Sequence, residues 1–187
     1  VLRGNVLMYF AELMVETRDL KSAHEFIRKA TELLPHLPSR DGLYVAKWKA
    51  IVDLIETNAS PQALGALETV KQEAHEKQRW ETIRDCDYYK GLLTNDSKTL
   101  EHLYCGTPFE AYRARILEHC KAISIPENYV WNLGTPNGPW LGFLGGEPVP
   151  NGENLKPGQA KHRLLMALVA DFYRPQNCAT LFAAVFA

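Results

Sequence analysis

The most constraining feature of the sequence is a run of small and bulky apolar residues between Leu20 and Pro35. Their spacing of three and four residues predicts one amphipathic helix that ends at the proline. Ala23 and Ala30 lie on the same side of this helix, where a small side chain lets a neighbouring helix approach closely. We therefore expect this segment to be half of a packed helical hairpin, with the rest of the chain stacked on it.

The composition is that of a globular protein and does not point to a charged partner. Of the 187 residues, 46% are hydrophobic, and 21 Lys and Arg side chains balance 22 Asp and Glu side chains. A net charge near zero gives no overall attraction to nucleic acid or to an anionic membrane, although a local basic patch is compatible with it. The 4 cysteines form no C-x-x-C pair, so we expect reduced thiols in a cytoplasmic protein.

We expect no signal peptide at the start of this sequence, Val1–Asn5. No apolar run is long enough to cross a bilayer, and the first residues lack the pattern of a signal peptide, so we expect no membrane partner. The chain begins at Val1 and ends in the apolar run Leu181–Ala187, and we therefore expect it to be a fragment of a longer protein.

Helical spacing of apolar residues continues through the first two-thirds of the chain. The polar turn Thr17–Asp19 separates the first two predicted helices, and Ser60–Pro61 gives an N-cap followed by a proline at the first helical position. Thr107–Glu110 has a similar signature, with the threonine as the cap. We therefore predict a domain of stacked antiparallel helical hairpins over residues 1–125.

The composition changes in residues 126–187, where glycine and proline become frequent. Tyr129–Leu133 and Trp140–Leu144 are predicted as two short strands around a Gly-Thr-Pro-Asn-Gly turn. Two predicted helices follow, Ala160–Tyr173 and Cys178–Phe186. The predicted fold class is thus mainly α, with stacked hairpins followed by a small α+β module that consists of a β-hairpin and two helices.

The first two hairpins resemble tetratricopeptide repeats, in which large apolar residues precede a small one on the first helix and alanines mark the second. The first hairpin fills these places with Leu7, Phe10, Ala11, Met14, Ala23, Ile27, Ala30 and Pro35. The second hairpin has Ala50, Leu54, Ala63, Leu67 and Val70, and it has His75 where the repeat has its proline. The resemblance implies a non-enzymatic scaffold with a regulatory role, whose concave face binds a protein or peptide. Ordinary packing of helical hairpins produces the same pattern and stays open as the alternative.

The last stretch resembles the start of a winged-helix domain. Two strands, a loop, a helix, the break at Tyr173–Pro175 and a second helix are predicted in that order. In that family the next helix enters the major groove of DNA; that helix and the wing are not in this sequence. The resemblance implies the alternative function, a bacterial DNA-binding transcriptional regulator that is cut short here. A homodimer is compatible with either function.

No group of residues has the spacing of a catalytic or metal-binding motif. The residues with zinc-ligand chemistry lack the spacing of a zinc site, so we predict no metal: Cys86, His102, Cys105, His119 and Cys120. Asp85 and Asp87 diverge on a helix, which indicates a solvated face rather than an acid–base pair. The glycine-rich stretch lacks the Gly-Lys-Ser/Thr of a phosphate loop. We therefore predict no enzyme and no cofactor.

Two groups of residues are candidates for binding a partner. The first lies on one predicted helix: Tyr44, Lys47 and Trp48. These side chains would contact a protein or peptide, but packing between helices also explains them, most of all the tryptophan. The second group lies around the penultimate helix: Lys161, Arg163 and Arg174. These cations would contact DNA phosphates in a winged-helix domain, but a soluble helix surface explains them better.

Overall fold

The computed structural model describes residues 2–36, 39–120, 123, 143–144, 147–148 and 159–186, and these are mainly helical. Contacts divide the chain into two compact units, Val1–Thr94 and Asn95–Ala187. The domain boundary predicted near residue 125 lies outside the described residues and stays a prediction. None of the helices in the described ranges combines the length and the apolar composition that crossing a membrane requires.

The first unit is a two-row packing of helices. Its described helices are α1 (Leu2–Glu16), α2 (Leu20–Leu33), α3 (Ser39–Glu56), α4 (Pro61–Glu76) and α5 (Trp80–Thr94), with a 3₁₀ turn, Leu34–His36, after α2. Each helix packs on the next along the chain, and α3 also packs on α1 and on α5. The helices α1, α3 and α5 therefore form one row, and α2 and α4 pack against it. This arrangement is compatible with a helical repeat.

Local sequence signals set several helix ends in this unit. Oδ1 of Asp19 accepts a hydrogen bond from the backbone N–H of Ser22 at 3.1 Å, which caps α2. Oγ of Ser60 accepts one from the backbone N–H of Ala63 at 3.3 Å, and Pro61 follows at the start of α4, as predicted. Several turn residues adopt a positive φ, the left-handed conformation that ends helices within a short turn: Arg18, Asn58, Ala59 and Gln78.

The predicted burial of the α2 alanines is confirmed. Ala23 and Ala30 are each 0% exposed, and Ile27 between them is also buried. Because the two alanine side chains are short, α2 packs closely on both α1 and α3. The largest buried side chains of the unit come mostly from the α1–α3–α5 row: Val15, Trp48, Ile51, Leu54, Ile83 and Tyr88.

The second unit contains two pairs of helices. Its described helices are α6 (Ser97–Cys105), α7 (Glu110–His119), α8 (Ala160–Val169) and α9 (Cys178–Phe186). Helix α6 packs on α7, and α8 packs on α9. The backbone N–H of Phe172 donates a hydrogen bond to the carbonyl of Gly106 at 2.9 Å, which joins the segment after α8 to the end of α6.

Two helix ends in this unit differ from the prediction. Helix α7 begins at Glu110 with Phe109 at the cap position, and Thr107 is buried instead of capping it. Helix α8 ends at Val169, earlier than the predicted Tyr173. Oδ1 of Asp171 accepts hydrogen bonds from the backbone N–H groups of Tyr173 and Arg174, and this local turn replaces the last helical turn.

The predicted C-terminal β-hairpin is not seen, so the α+β module in the predicted fold class is wrong. The extended pairing described there is limited to β1 (Phe143–Leu144) against β2 (Glu147–Pro148), with 2 residues in each segment. A pairing this short does not make a β-module, because even a full two-stranded hairpin is marginally stable by itself. The predicted first strand, residues 129–133, lies outside the described residues.

Candidate functional site

The predicted partner-binding residues of α3 lie at the contact between helices. Trp48 is 2% exposed, and its ring packs edge-on against Tyr89 of α5 with centroids 6.0 Å apart. Lys47 is also buried, and Tyr44 is half-buried. Trp48 therefore packs between helices, which was the alternative explanation for this residue. Contact between these residues and a partner stays a prediction.

Lys47 is held in the interior by a carboxylate and two aromatic rings. Its Nζ lies 2.5 Å from Oδ2 of Asp85 on α5, and the two side chains are 4% and 14% exposed. The same ammonium lies 4.3 Å from the ring centroid of Trp48 and 5.4 Å from that of Tyr44. Burial alone lowers the pKa of Lys47, but the charge and hydrogen bond of Asp85, with a smaller contribution from Glu12, raise it above its ordinary value.

A second ion pair joins α5 to α4. Nζ of Lys71 on α4 is 2.6 Å from Oδ1 of Asp87, and these side chains are 21% and 11% exposed. The aspartates at 85 and 87 thus turn to different helices, as their spacing predicted. The predicted solvated face is wrong, however, because α5 packs on α3 on one side and on α4 on the other.

The thiol between these two carboxylates is not a nucleophile at neutral pH. Cys86 is 0% exposed, and burial, helped by the negative charge of Asp85, raises its pKa to about 12. A protonated thiol and a paired ammonium supply neither a nucleophile nor a general base. We call Lys47, Lys71, Asp85, Cys86 and Asp87 the charged cluster; its role in the fold is to join α3, α4 and α5.

The residues considered for a zinc site are not grouped together in the described residues. His102 packs on the rings of Phe172 and Tyr173, with centroid distances of 5.0 and 5.8 Å. Within the described ranges, no set of His, Cys, Asp and Glu side chains is grouped as a metal site would require. The glycines considered for a phosphate loop lie outside those ranges.

The predicted phosphate-contacting cations belong to the second unit. Lys161 and Arg163 lie on α8, and Arg174 lies in the segment between α8 and α9. Arg174 is exposed and Arg163 is half-buried, whereas the side chain of Lys161 is outside the described part of the structure. The predicted hairpin of a winged helix is not seen in the described residues, and DNA binding stays a prediction.

Sequence reasoning missed the most exposed apolar surface of the first unit. Four large side chains of α1 point to solvent, with exposed fractions of 42%, 72%, 44% and 47%: Val6, Tyr9, Phe10 and Leu13. We call these residues the α1 face. The repeat pattern predicts Phe10 at a packed position, but Phe10 is exposed and its ring stacks on the partly exposed Phe26 of α2, at a centroid distance of 5.2 Å.

The α1 face is opposite the side of α1 that packs in the core. Met8, Ala11 and Val15 are buried, and with about 100° of rotation per residue they lie on the other side of the helix from Tyr9 and Leu13. A helix that is apolar on both sides is typical of one that is covered on both sides. The missed signal was therefore the lack of a polar face in Leu2–Glu16.

The outer side of α2 is polar, in contrast to the α1 face. Its exposed residues are polar or charged, as expected for a surface in water: Lys21, His24, Glu25, Arg28, Thr31 and Glu32. Two of them pair with each other, Nη1 of Arg28 with Oε1 of Glu32 at 2.5 Å. Helices α1 and α2 are adjacent and both have residues exposed to solvent, but the exposed residues of α2 are polar. A position at the surface therefore does not explain why the α1 face is apolar.

Comparison of the chain with protein-family models, with curated proteins and with solved structures finds no match. The candidate site is therefore defined by its own geometry: an apolar α1 face on a helical stack that the charged cluster holds together.

Proposed function

We propose that the chain is a non-enzymatic scaffold of tetratricopeptide-type helical hairpins that binds a protein or peptide partner on the α1 face. One observation carries the proposal: every large hydrophobic side chain that is exposed in the described part of the first unit belongs to α1. A contiguous exposed apolar patch on a folded protein, even one of ordinary size, is often a functional surface.

The packing of the first unit supports the repeat part of the proposal. The row α1–α3–α5 and the helices α2 and α4 against it correspond to successive hairpins, each stacked on the next. Buried alanines at 23, 30, 63 and 74 occur on α2 and α4, the second helix of each hairpin. Stacked hairpins of this kind offer the side chains of one row to a ligand.

The charged cluster supports the scaffold role, because its ion pairs link α3, on which α1 packs, with α4 and α5. A preorganised surface loses less conformational entropy on binding than a loose one, which favours affinity. The proposal also includes a regulatory role and a reducing compartment such as the cytoplasm. The reducing compartment is supported by the free thiols Cys86, Cys105, Cys120 and Cys178.

A charge-matched pair of variants tests the proposal. Tyr9→Glu/Leu13→Glu places two carboxylates on the α1 face, and Lys21→Gln/Arg28→Gln removes two cations from the polar side of α2, so both change the net charge equally. Proteins captured from a cell extract by the wild type are identified by mass spectrometry, and each purified candidate is titrated by calorimetry. We expect the first variant to weaken binding at least about tenfold, or 1.4 kcal/mol, and the second to leave it unchanged.

The α1 face would be rejected as the binding site if the variant Tyr9→Glu/Leu13→Glu bound the partner as tightly as the wild type does. A partner that binds the two variants and the wild type with equal affinity contacts some other surface. Circular dichroism of both variants serves as the folding control, and we expect wild-type spectra because all four substituted side chains are exposed.

A further inference from the structure

We propose that the partner presents an amphipathic helix, which packs lengthwise on the α1 face. This inference rests on the proposed function and specifies the kind of ligand that the surface fits. Three features of the described residues lead to it: the backbone of α1, the spacing of its exposed side chains and the size of the patch.

The backbone of α1 favours a helix over an extended peptide. An extended segment usually binds by adding a strand to a sheet edge, where unpaired N–H and C=O groups receive it. Between its two ends, helix α1 pairs its backbone groups within itself, so its side offers no such edge. A bound helix needs no backbone partner, because its own hydrogen bonds are internal.

The spacing of the α1 face matches the surface of a second helix. Val6, Phe10 and Leu13 are four and three residues apart, and Tyr9 lies beside Phe10. Side chains at these intervals form a ridge that fits the groove between the ridges of another helix. Packing of this kind already exists in the row, where α3 lies between α1 and α5.

The size of the patch favours a single helix over a second copy of the chain. The α1 face spans about two helical turns, and four partly exposed side chains provide only a few hundred Å² of apolar surface. A stable protein dimer buries roughly 800 Å² on each partner. Peptide helices, in contrast, bind through three or four anchors at positions i, i+3, i+4 and i+7.

A phage-displayed library of random peptides, each long enough for about four helical turns, tests this inference. The library is selected on the wild-type chain, and each selected peptide is then titrated against the wild type, Tyr9→Glu/Leu13→Glu and Lys21→Gln/Arg28→Gln by fluorescence anisotropy. We expect apolar residues at helical intervals in the selected peptides and at least about tenfold weaker binding to the α1 variant only. A proline in the middle of a selected peptide should weaken its binding to a similar extent, because it breaks the helix.

The other outcomes separate this inference from the proposed function. Peptides with alternating apolar residues that still require the α1 face would overturn the helical ligand and leave the proposed function standing. Peptides that bind all three proteins equally would overturn both. Self-association of the wild type in sedimentation experiments, lost in Tyr9→Glu/Leu13→Glu, would replace the helical ligand with a second copy of the chain.

Discussion

Nζ of Lys47 and Oδ2 of Asp85 lie 2.5 Å apart and join α3 to α5 where both side chains are largely buried. Replacing one member of such a pair leaves a charge in a poorly solvated place, whereas replacing both members removes the cost of desolvating them. The consequences of this pairing can be measured in the folded protein.

We expect Lys47→Met to lower the free energy of unfolding by about 3 kcal/mol, because the carboxylate of Asp85 loses its cation. The double variant Lys47→Met/Asp85→Leu should return to within about 1 kcal/mol of the wild type. Urea denaturation measures both values. Lys77→Met is the surface control, since Lys77 pairs with Glu73 at 42% and 43% exposure, and its effect should stay within about 0.5 kcal/mol. Equal effects of the buried and surface substitutions would contradict this account.

Cys86 should make the stability fall at alkaline pH. Its ordinary pKa of 9.0 applies in the unfolded chain, and its pKa in the fold is raised to about 12. Between these values the unfolded thiol ionises and the folded one does not, so unfolding becomes easier as the pH rises. Relative to Cys86→Ala, the wild type should lose about 1.4 kcal/mol of stability per pH unit above pH 9. Urea midpoints of both proteins measured from pH 7 upward test this, and parallel curves would show that the thiol ionises equally in both states.

Gly106 is required by close contact with Phe172. A Cβ at residue 106 would lie 2.4 Å from Cδ2 and 2.6 Å from Cβ of the phenylalanine. We expect Gly106→Ala to destabilise the second unit by about 1–3 kcal/mol, measured as faster hydrogen exchange in α6. Gly65→Ala is the matched control, because a Cβ there meets nothing within 4 Å, and it should stabilise α4 by about 0.5–1 kcal/mol. Unchanged exchange in Gly106→Ala would show that Phe172 does not occupy this place.

The two predicted capping residues should respond differently to loss of their hydroxyls. Oγ of Ser60 caps α4, so Ser60→Ala should cost about 1 kcal/mol of stability. Thr107 is 0% exposed, and its Oγ1 has no hydrogen-bond partner among the described residues. Thr107→Val, which keeps the shape, should therefore be neutral or stabilising. Thermal unfolding of both variants makes the comparison, and a clear loss of stability in Thr107→Val would indicate a hydrogen bond at that hydroxyl.

The α1 face and the charged cluster could be predicted from the sequence only in part. Helical spacing predicted that Phe10 packs in the core. It could not decide which side of α1 is buried, because both sides carry large apolar residues. The separation of residues 85 and 87 predicted that their carboxylates diverge. It could not predict that lysines from two other helices would reach them, since these partners are distant in sequence.

Features that depend only on residues close by in the sequence could be predicted from the sequence alone. Helical periodicity and the Ser60–Pro61 helix start act within a few residues, so their consequences were correct. The burial of Lys47 and the exposure of Tyr9 were decided by the tertiary structure. The physical reason is that a side chain's burial, charge partner and strand partner depend on segments that meet only when the chain packs.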